Sequence, residues 1–265
     1  MPKQKIKSIY HYIYYQYLVR TNTLIRQQRK QPFTIPIIII SFNQLFYLKK
    51  LIDFLLERGF KNIVIIDNQS TYPPLLEYFK TLPATVIVKR LDKNYGHNIM
   101  YQHHKAIEEF TKGYFVITDP DIVPNANLPE NFMEFMINKL DQYFNEVTKV
   151  GFALKIDDIP EHFPFKNKVI GWESRFWENE MDEKCYLNIL DTTFALYKPN
   201  YPLKFYNLPF LPAIRIAGDF TAVHGGWYKD PLNLTEEETY YQKTTSISSS
   251  WNFDTDAQGT GQIKY

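Results

Sequence analysis

The chain has 265 residues, 45 % of them apolar and 17 % aromatic, with a formal net charge of +1. That length and apolar fraction suit one large domain with a real core, and the near-neutral balance gives no argument for nucleic acid as a partner. A single cysteine, Cys185, excludes an intramolecular disulfide framework and fits a reducing compartment.

The charge is unevenly spread. Up to Lys30 the chain carries Lys3, Lys5, Lys7, Arg20, Arg26, Arg29 and Lys30 and no acidic residue. Residues 9–26, rich in Tyr and Ile, read as a helix with basic flanks. One reading is an interfacial helix, with tyrosines at headgroup level and cations on anionic lipid. The other is a helix docked on the same domain. No apolar stretch approaches the roughly 20 residues that span a bilayer, and the start lacks the apolar core of a secretory leader. The expected location is the cytoplasm, with peripheral membrane contact through residues 9–26. Residues 1–31 form this extension. Pro32 and Pro36 then punctuate before a domain over 32–243.

Within that domain strands and helices alternate. Ile37 to Ile40 is a buried strand. Leu45 to Arg58 is a helix with Leu48, Leu51, Ile52 and Leu55 at core spacing, closed by Gly59. Asn62 to Ile66 is a strand, Pro74 to Lys80 a short helix, and Thr85 to Lys89 a strand. His97 to Phe110 is a helix closed by Gly113, and Tyr114 to Thr118 a strand. This rhythm predicts a mostly parallel α/β sheet with right-handed crossovers and helices on its faces. Strands apolar on both faces belong at its middle. After Asp121 the rhythm breaks. Phe132 to Phe144 reads as a helix, and Val150 to Lys155 and Thr192 to Tyr197 as strands. The long segment between those strands has the character of a binding loop. Residues 244–265 are polar and rich in Ser, Thr and Gly, a loose tail.

Asp119-Pro120-Asp121 follows the apolar run Tyr114–Thr118 and places two carboxylates where a buried strand ends. At the carboxyl edge of an open α/β sheet, ligands bind. Two close carboxylates repel and are stable together beside a divalent cation. A hard cation held by carboxylates and phosphate oxygens is a nucleotide arrangement. The pair is not a calcium loop of the helix–loop–helix type. Such a loop starting at Asp119 would put Val123 and Pro124 where an oxygen ligand and a glycine are needed.

Four segments in order, IIIISFN, IVIIDNQST, LDKNYGHN and YFVITDPDI, resemble the nucleotide-sugar glycosyltransferases of GT-A fold, family-2-like enzymes in particular. The resemblance covers about residues 35–125. It continues more faintly over 150–230 in DTTFALYKP and AVHGGWY. It implies a GT-A-like fold and a site built as follows. Ser41, Phe42 and Asn43 wrap the base and ribose. Asp67 accepts the base imide N–H, with Asn68 and Ser70 holding its turn, although Asp67 as a plain turn cap stays open. Asn94, Gly96 and His97 meet phosphate at a helix mouth, where a glycine admits close backbone approach; His97 as a surface residue stays open. Asp121 ligates Mn2+ or Mg2+, Asp119 faces metal or ribose, and His224 completes the metal site. Inversion at the sugar needs a base. Asp191 is the first candidate, with Glu173, Glu178 and Asp219 as competitors. Trp172, Trp177 and Glu178 are candidates for the acceptor site, the tryptophans by stacking on sugar faces.

The function so implied is metal-dependent transfer of a sugar from a nucleotide-diphosphate sugar, UDP-linked as first choice, to a glycan or lipid-linked acceptor. A nucleotidyltransferase is the first rival. It would want a glycine-rich loop after the first strand, where this chain has SFNQLFYLKK. A non-catalytic nucleotide- or carbohydrate-binding protein is the second.

Overall fold

Short Ile- and Val-rich strands form the centre of the fold in a computed structural model, which describes residues 2–96, 99, 104–190, 193–199 and 212–245. Strands β1 (Ile37–Ser41), β2 (Ile63–Asp67), β3 (Val86–Arg90) and β4 (Phe115–Thr118) pair in parallel in the order β3-β2-β1-β4. The sheet then runs on through β9 (Ala195–Tyr197), β6 (Lys149–Phe152), β10 (Pro212–Ile216), β8 (Cys185–Ile189) and β7 (Glu180–Asp182). β9 is antiparallel to both neighbours, and β8 is antiparallel to β10 and β7. The other strands run one way, so the sheet is mostly parallel, as the alternation predicts.

Both faces of the central strands are buried because alternate residues enter different cores. Ile37, Ile39, Ile63, Ile65 and Val116 join the larger cluster; Ile38, Val64, Ile66, Phe115 and Ile117 join the smaller. Helices α3 (Phe46–Glu57), α4 (Pro73–Thr81) and α5 (Phe132–Gln142) lend Leu48, Leu75 and Met136 to the larger one. Gly59 ends α3 with φ +80°. Its N–H reaches Leu56 O and that of Phe60 reaches Leu55 O, the paired bonds of a left-handed helix stop. Helix α6 (Lys166–Ser174) follows β6, and α7 (Glu236–Thr244) follows the last strand.

Several boundaries differ from expectation. The 9–26 helix is two, α1 (Pro2–Thr21) and α2 (Thr23–Lys30), broken at Asn22, whose side chain caps Ile25 N. The described end of the 97–110 segment is two tight turns, His104–Ala106 and Glu108–Phe110. Between them Ile107, at φ −116°, ψ −3°, buries against the sheet. The strand expected to reach Lys155 stops at Phe152, and Leu154 pairs alone with Ala222. Residues 246–265, and with them most of the expected loose tail, lie outside the described residues.

α1 and α2 dock at the amino edge of β4. Tyr15, Leu18 and Ile25 are buried in the core. The Gln28 carboxamide accepts from Tyr114 N (2.8 Å) and donates to Tyr114 O (2.9 Å), behaving like a strand neighbour. Gly113 makes room for it: a Cβ there would lie 2.2 Å from Gln28 Oε1. Arg29 pairs with Asp141 at 2.6 Å, and the Tyr15 hydroxyl bonds both Tyr114 and Asp141.

Candidate active site

The strand register brings the sequence motifs to one edge. Ser41 pairs with Asp67, and Ile39 with Thr118, so β1, β2 and β4 end together and Asp119 follows at that edge. Past Asp121 the chain forms β5 (Ile122–Pro124), which pairs antiparallel with β11 (Ala222–His224), Ile122 opposite His224. This small ribbon delivers His224 to Asp121 across about a hundred residues of sequence.

Asp121 is buried and held from below: its Oδ2 accepts Gly226 N at 3.1 Å, and its carbonyl accepts Gly225 N at 2.7 Å. His224 Nδ1 lies 3.6 Å from Asp121 Oδ2, buried and without a hydrogen-bond partner, while its ring stacks on Trp227 at 4.7 Å. Both glycines of the HGGW segment are required by close packing. A Cβ at Gly225 would sit 2.3 Å from the Tyr47 ring, and one at Gly226 2.9 Å from the imidazole. Burial, then the charge of Asp121, pushes the Tyr47 hydroxyl up to about 12.

An imidazole nitrogen with no partner beside a buried carboxylate is a donor set that fits Mn2+ or Mg2+, with phosphate oxygens of a nucleotide completing the shell. Asp119 is half-buried at the same edge. Among the described residues no three His, Cys, Asp or Glu side chains gather into a metal-binding group.

The residues assigned to the nucleotide mostly build the loops that would contact it. The Asp67 carboxylate is fully buried; it accepts Ser70 N at 3.2 Å and pairs with Arg90 Nε at 2.9 Å. Asn68 donates to Asn94 Oδ1 and Gly96 O and accepts Tyr95 N, tying the 94–96 loop to β2. Asn43, at φ +47°, accepts Thr71 N and Tyr72 N and takes Ser70 Oγ on its own N–H. Gly96 adopts φ +74°, which explains the glycine. Ser41 Oγ is buried with no hydrogen-bond partner, and Phe42 is half-buried near Tyr241. His97 and Asp191 lie outside the described residues.

The acceptor candidates form a separate group. Trp172 is half-buried under the Arg175 guanidinium at 3.4 Å, and Trp177 is half-buried against Tyr186 of β8. Glu178 is exposed. β8 lies four strand spacings from β4, about 19 Å away. Of the competing bases, Glu173 is buried in an ion pair with Arg215, whose guanidinium also covers the Phe176 ring, and Asp219 is exposed in the turn after β10.

Two features of the site were not read from the sequence. The first is Lys229, only 5 % exposed, with its ammonium 5.0 Å from the Tyr241 ring and no hydrogen bond among the described residues. Burial lowers its pKa, opposed by the charges of Asp121, Glu238 and Glu237. The second is α7, which straps the first two loops. Glu237 accepts Phe46 N at 3.0 Å and so caps α3, which has no cap of its own; burial raises its pKa. Tyr240 donates to Thr71 O, and Asn43 Nδ2 to Thr244 Oγ1. The signal for Lys229 was its place five residues after His224. The signal for α7 was the Thr235–Glu238 pair, which forms a capping box.

No curated protein matches the sequence. Among solved structures the chain is similar to a mannosyltransferase, PcManGT from Pyrobaculum calidifontis in complex with GDP-Man and Mn2+, at 11 % identity and a TM-score of 0.47, covering 91 % of this chain and 68 % of that one. It is similar to TarS of S. aureus at 13 % identity and 0.43, covering 79 % and 68 %. It is similar to a putative glucose-1-phosphate thymidylyltransferase from Bacillus anthracis at 12 % and 0.37, covering 65 % and 73 %. These likenesses are too loose to argue from. The model of glycosyl transferase family 2 matches residues 37–196, more than half of the chain and the whole of β1 to β4, and the chain belongs to that family of glycosyltransferases.

Proposed function

We propose that this glycosyltransferase moves a sugar from a nucleotide-diphosphate sugar, UDP-linked as first choice, to a glycan or lipid-linked acceptor with inversion, as a step in polysaccharide assembly. The observation that carries the reading is the unpartnered His224 Nδ1 beside Asp121 Oδ2 at the sheet's carboxyl edge. Asp121 and His224 would hold Mn2+ or Mg2+, with Asp119 toward metal or ribose. When bound, the ion neutralises charge on the departing nucleoside diphosphate. Ser41, Phe42 and Asn43 form the nucleotide side, Asp67 and Asn68 hold its second loop, and Asn94, Gly96 and His97 its phosphate side. Asp191 takes the acceptor proton. Glu173 is unsuited to that role, since losing its pairing would leave Arg215 buried and uncompensated. Trp172, Trp177 and Glu178 receive the acceptor. Residues 1–31 form an extension, 32–243 the transferase domain and 244–265 a tail. The protein works in the cytoplasm, in peripheral contact with a membrane through residues 9–26.

A thermal-shift panel of nucleotide diphosphates with and without Mn2+ tests the assignment. The expected result is a shift for UDP that needs the metal. Shifts indifferent to both base and metal would remove the donor class.

A further inference from the structure

Helix α1 is apolar on two faces. Its inner face docks through Tyr15 and Leu18. Its outer face carries Ile9, Ile13 and Tyr17 at spacings of four, with Tyr10 beside them, each at least 59 % exposed. Among the described residues eleven large apolar side chains are exposed, and seven of them fall between Ile9 and Leu24. A surface helix of a globular protein needs one apolar stripe only. A second, contiguous and open to water, marks a surface that has a partner.

The charge of the segment selects that partner. No acidic residue occurs before Lys30. Arg29 is engaged with Asp141, but Arg20, Arg26 and Lys30 are exposed. A second copy of the chain would set the cations of one segment against those of another with no acidic residue to answer them, which repels. Anionic lipid answers both properties: apolar side chains enter the boundary between headgroups and acyl chains, tyrosines sit at the interface, and cations meet phosphates. No helix among the described residues is long and apolar enough to cross a membrane. α1 therefore lies on a bilayer rather than through it.

The docking contacts place this face. Gln28 binds Tyr114 just before β4, and the Phe144 ring, after α5, packs on Tyr15 and under Lys198, just after the antiparallel β9. All mark the amino edge of the parallel strands, whereas Asp121 and His224 follow the carboxyl edge. Strands of four or five residues separate the two edges by roughly 13–16 Å. We infer that the outer face of α1 (Ile9, Tyr10, Ile13, Tyr17) seats the enzyme on an anionic bilayer with its donor site directed away from the lipid. The inference deepens the membrane contact proposed above: the seating stands on α1, and only the orientation rests on the proposed donor site.

Co-sedimentation of the full chain with vesicles of phosphatidylcholine, alone or with one quarter phosphatidylglycerol, tests it. Wild type binds the anionic vesicles, less so at high salt. The Ile9→Ser/Ile13→Ser/Tyr17→Ser variant loses at least about tenfold in binding while keeping its thermal shift with UDP and Mn2+. A polarity-sensitive fluorophore on Tyr10→Cys brightens with vesicles; one on Leu232→Cys, 89 % exposed in the loop between the His224 segment and α7, does not. Undiminished binding by the triple variant would overturn the inference, as would equal affinity for both vesicles. A wild-type dimer dissolved by the triple variant would assign the stripe to a second copy instead. Brightening at Leu232→Cys would overturn the orientation.

Discussion

At the amino edge of β4, Gln28 meets both backbone groups of Tyr114, Arg29 meets Asp141, and the Lys198 ammonium meets the carbonyls of Phe144 and Val147. At the carboxyl edge, Ser41 Oγ and His224 Nδ1 are buried with no hydrogen-bond partner, and the buried Lys229 ammonium lies 5.0 Å from the Tyr241 ring. The chemistry of the residues is similar; the degree of satisfaction is not. Orphaned buried polar groups cost about 1–3 kcal/mol each; Arg58 Nη1, Trp177 Nε1 and Arg215 Nε are others elsewhere in the fold, and what sets His224 apart is the buried Asp121 carboxylate 3.6 Å away. On the proposed function, the amino edge is architecture and the carboxyl edge is where the donor binds.

Substitutions at the two edges should separate accordingly. The largest effect is expected from Asp121→Asn, which keeps the volume and an acceptor for Gly226 N but removes the charge. Metal-dependent hydrolysis or transfer of the nucleotide-sugar should fall by more than about 100-fold, beyond the range for losing a mere outer partner of a metal ligand. Activity within a few-fold of wild type would dissolve the contrast between the edges. Lys229→Met comes next. If the buried ammonium receives the diphosphate, affinity for UDP with Mn2+ should drop roughly 10- to 100-fold, the value of a charged hydrogen bond. Titration calorimetry would read this, and an unchanged affinity would return Lys229 to the architecture.

Gln28→Ala tests the other edge. It strands Tyr114 N and O in the core and should cost about 1–3 kcal/mol, several degrees in Tm, with no change in nucleotide affinity. A loss of affinity without a loss of stability would reverse the roles of the edges. The smallest effect is a pH slope. Burial, opposed by Glu146, lowers Lys198 to about 8 from the usual 10.5. Between those values the unfolded chain holds a proton that the folded chain has released. Stability from this group is therefore present above pH 10.5 and is lost as pH falls through about 8. Denaturant melts at pH 8 and 10 should show the rise in wild type and a flatter response in Lys198→Met.

The alternation of strands and helices was legible because Ile37–Ile40 and Ile63–Ile66 are buried on both faces and α3 repeats its leucines at helical spacing. The second half of the sheet was less so. β9 is three residues long and antiparallel between parallel neighbours, a placement set by tertiary pairing alone. In the site, the residue types were legible but not their partners. Arg90, paired with Asp67, lies 23 residues on in β3, and no local pattern links them. Lys229 was not singled out, because its burial comes from α7 folding back over the first loop. Asn22 escaped notice inside the Tyr- and Ile-rich run, although an asparagine three residues before the backbone N–H it caps is a helix-start signal.

In the proposed site Asp121 and His224 gather a divalent ion that also needs the nucleotide. Loss of the free Mn2+ signal in electron paramagnetic resonance tests it most directly, titrating Mn2+ into the protein with and without UDP. The expected result is uptake of about one ion per chain, strengthened by UDP and abolished in both Asp121→Asn and His224→Ala. Uptake that persists in both variants, or that ignores UDP, would contradict it.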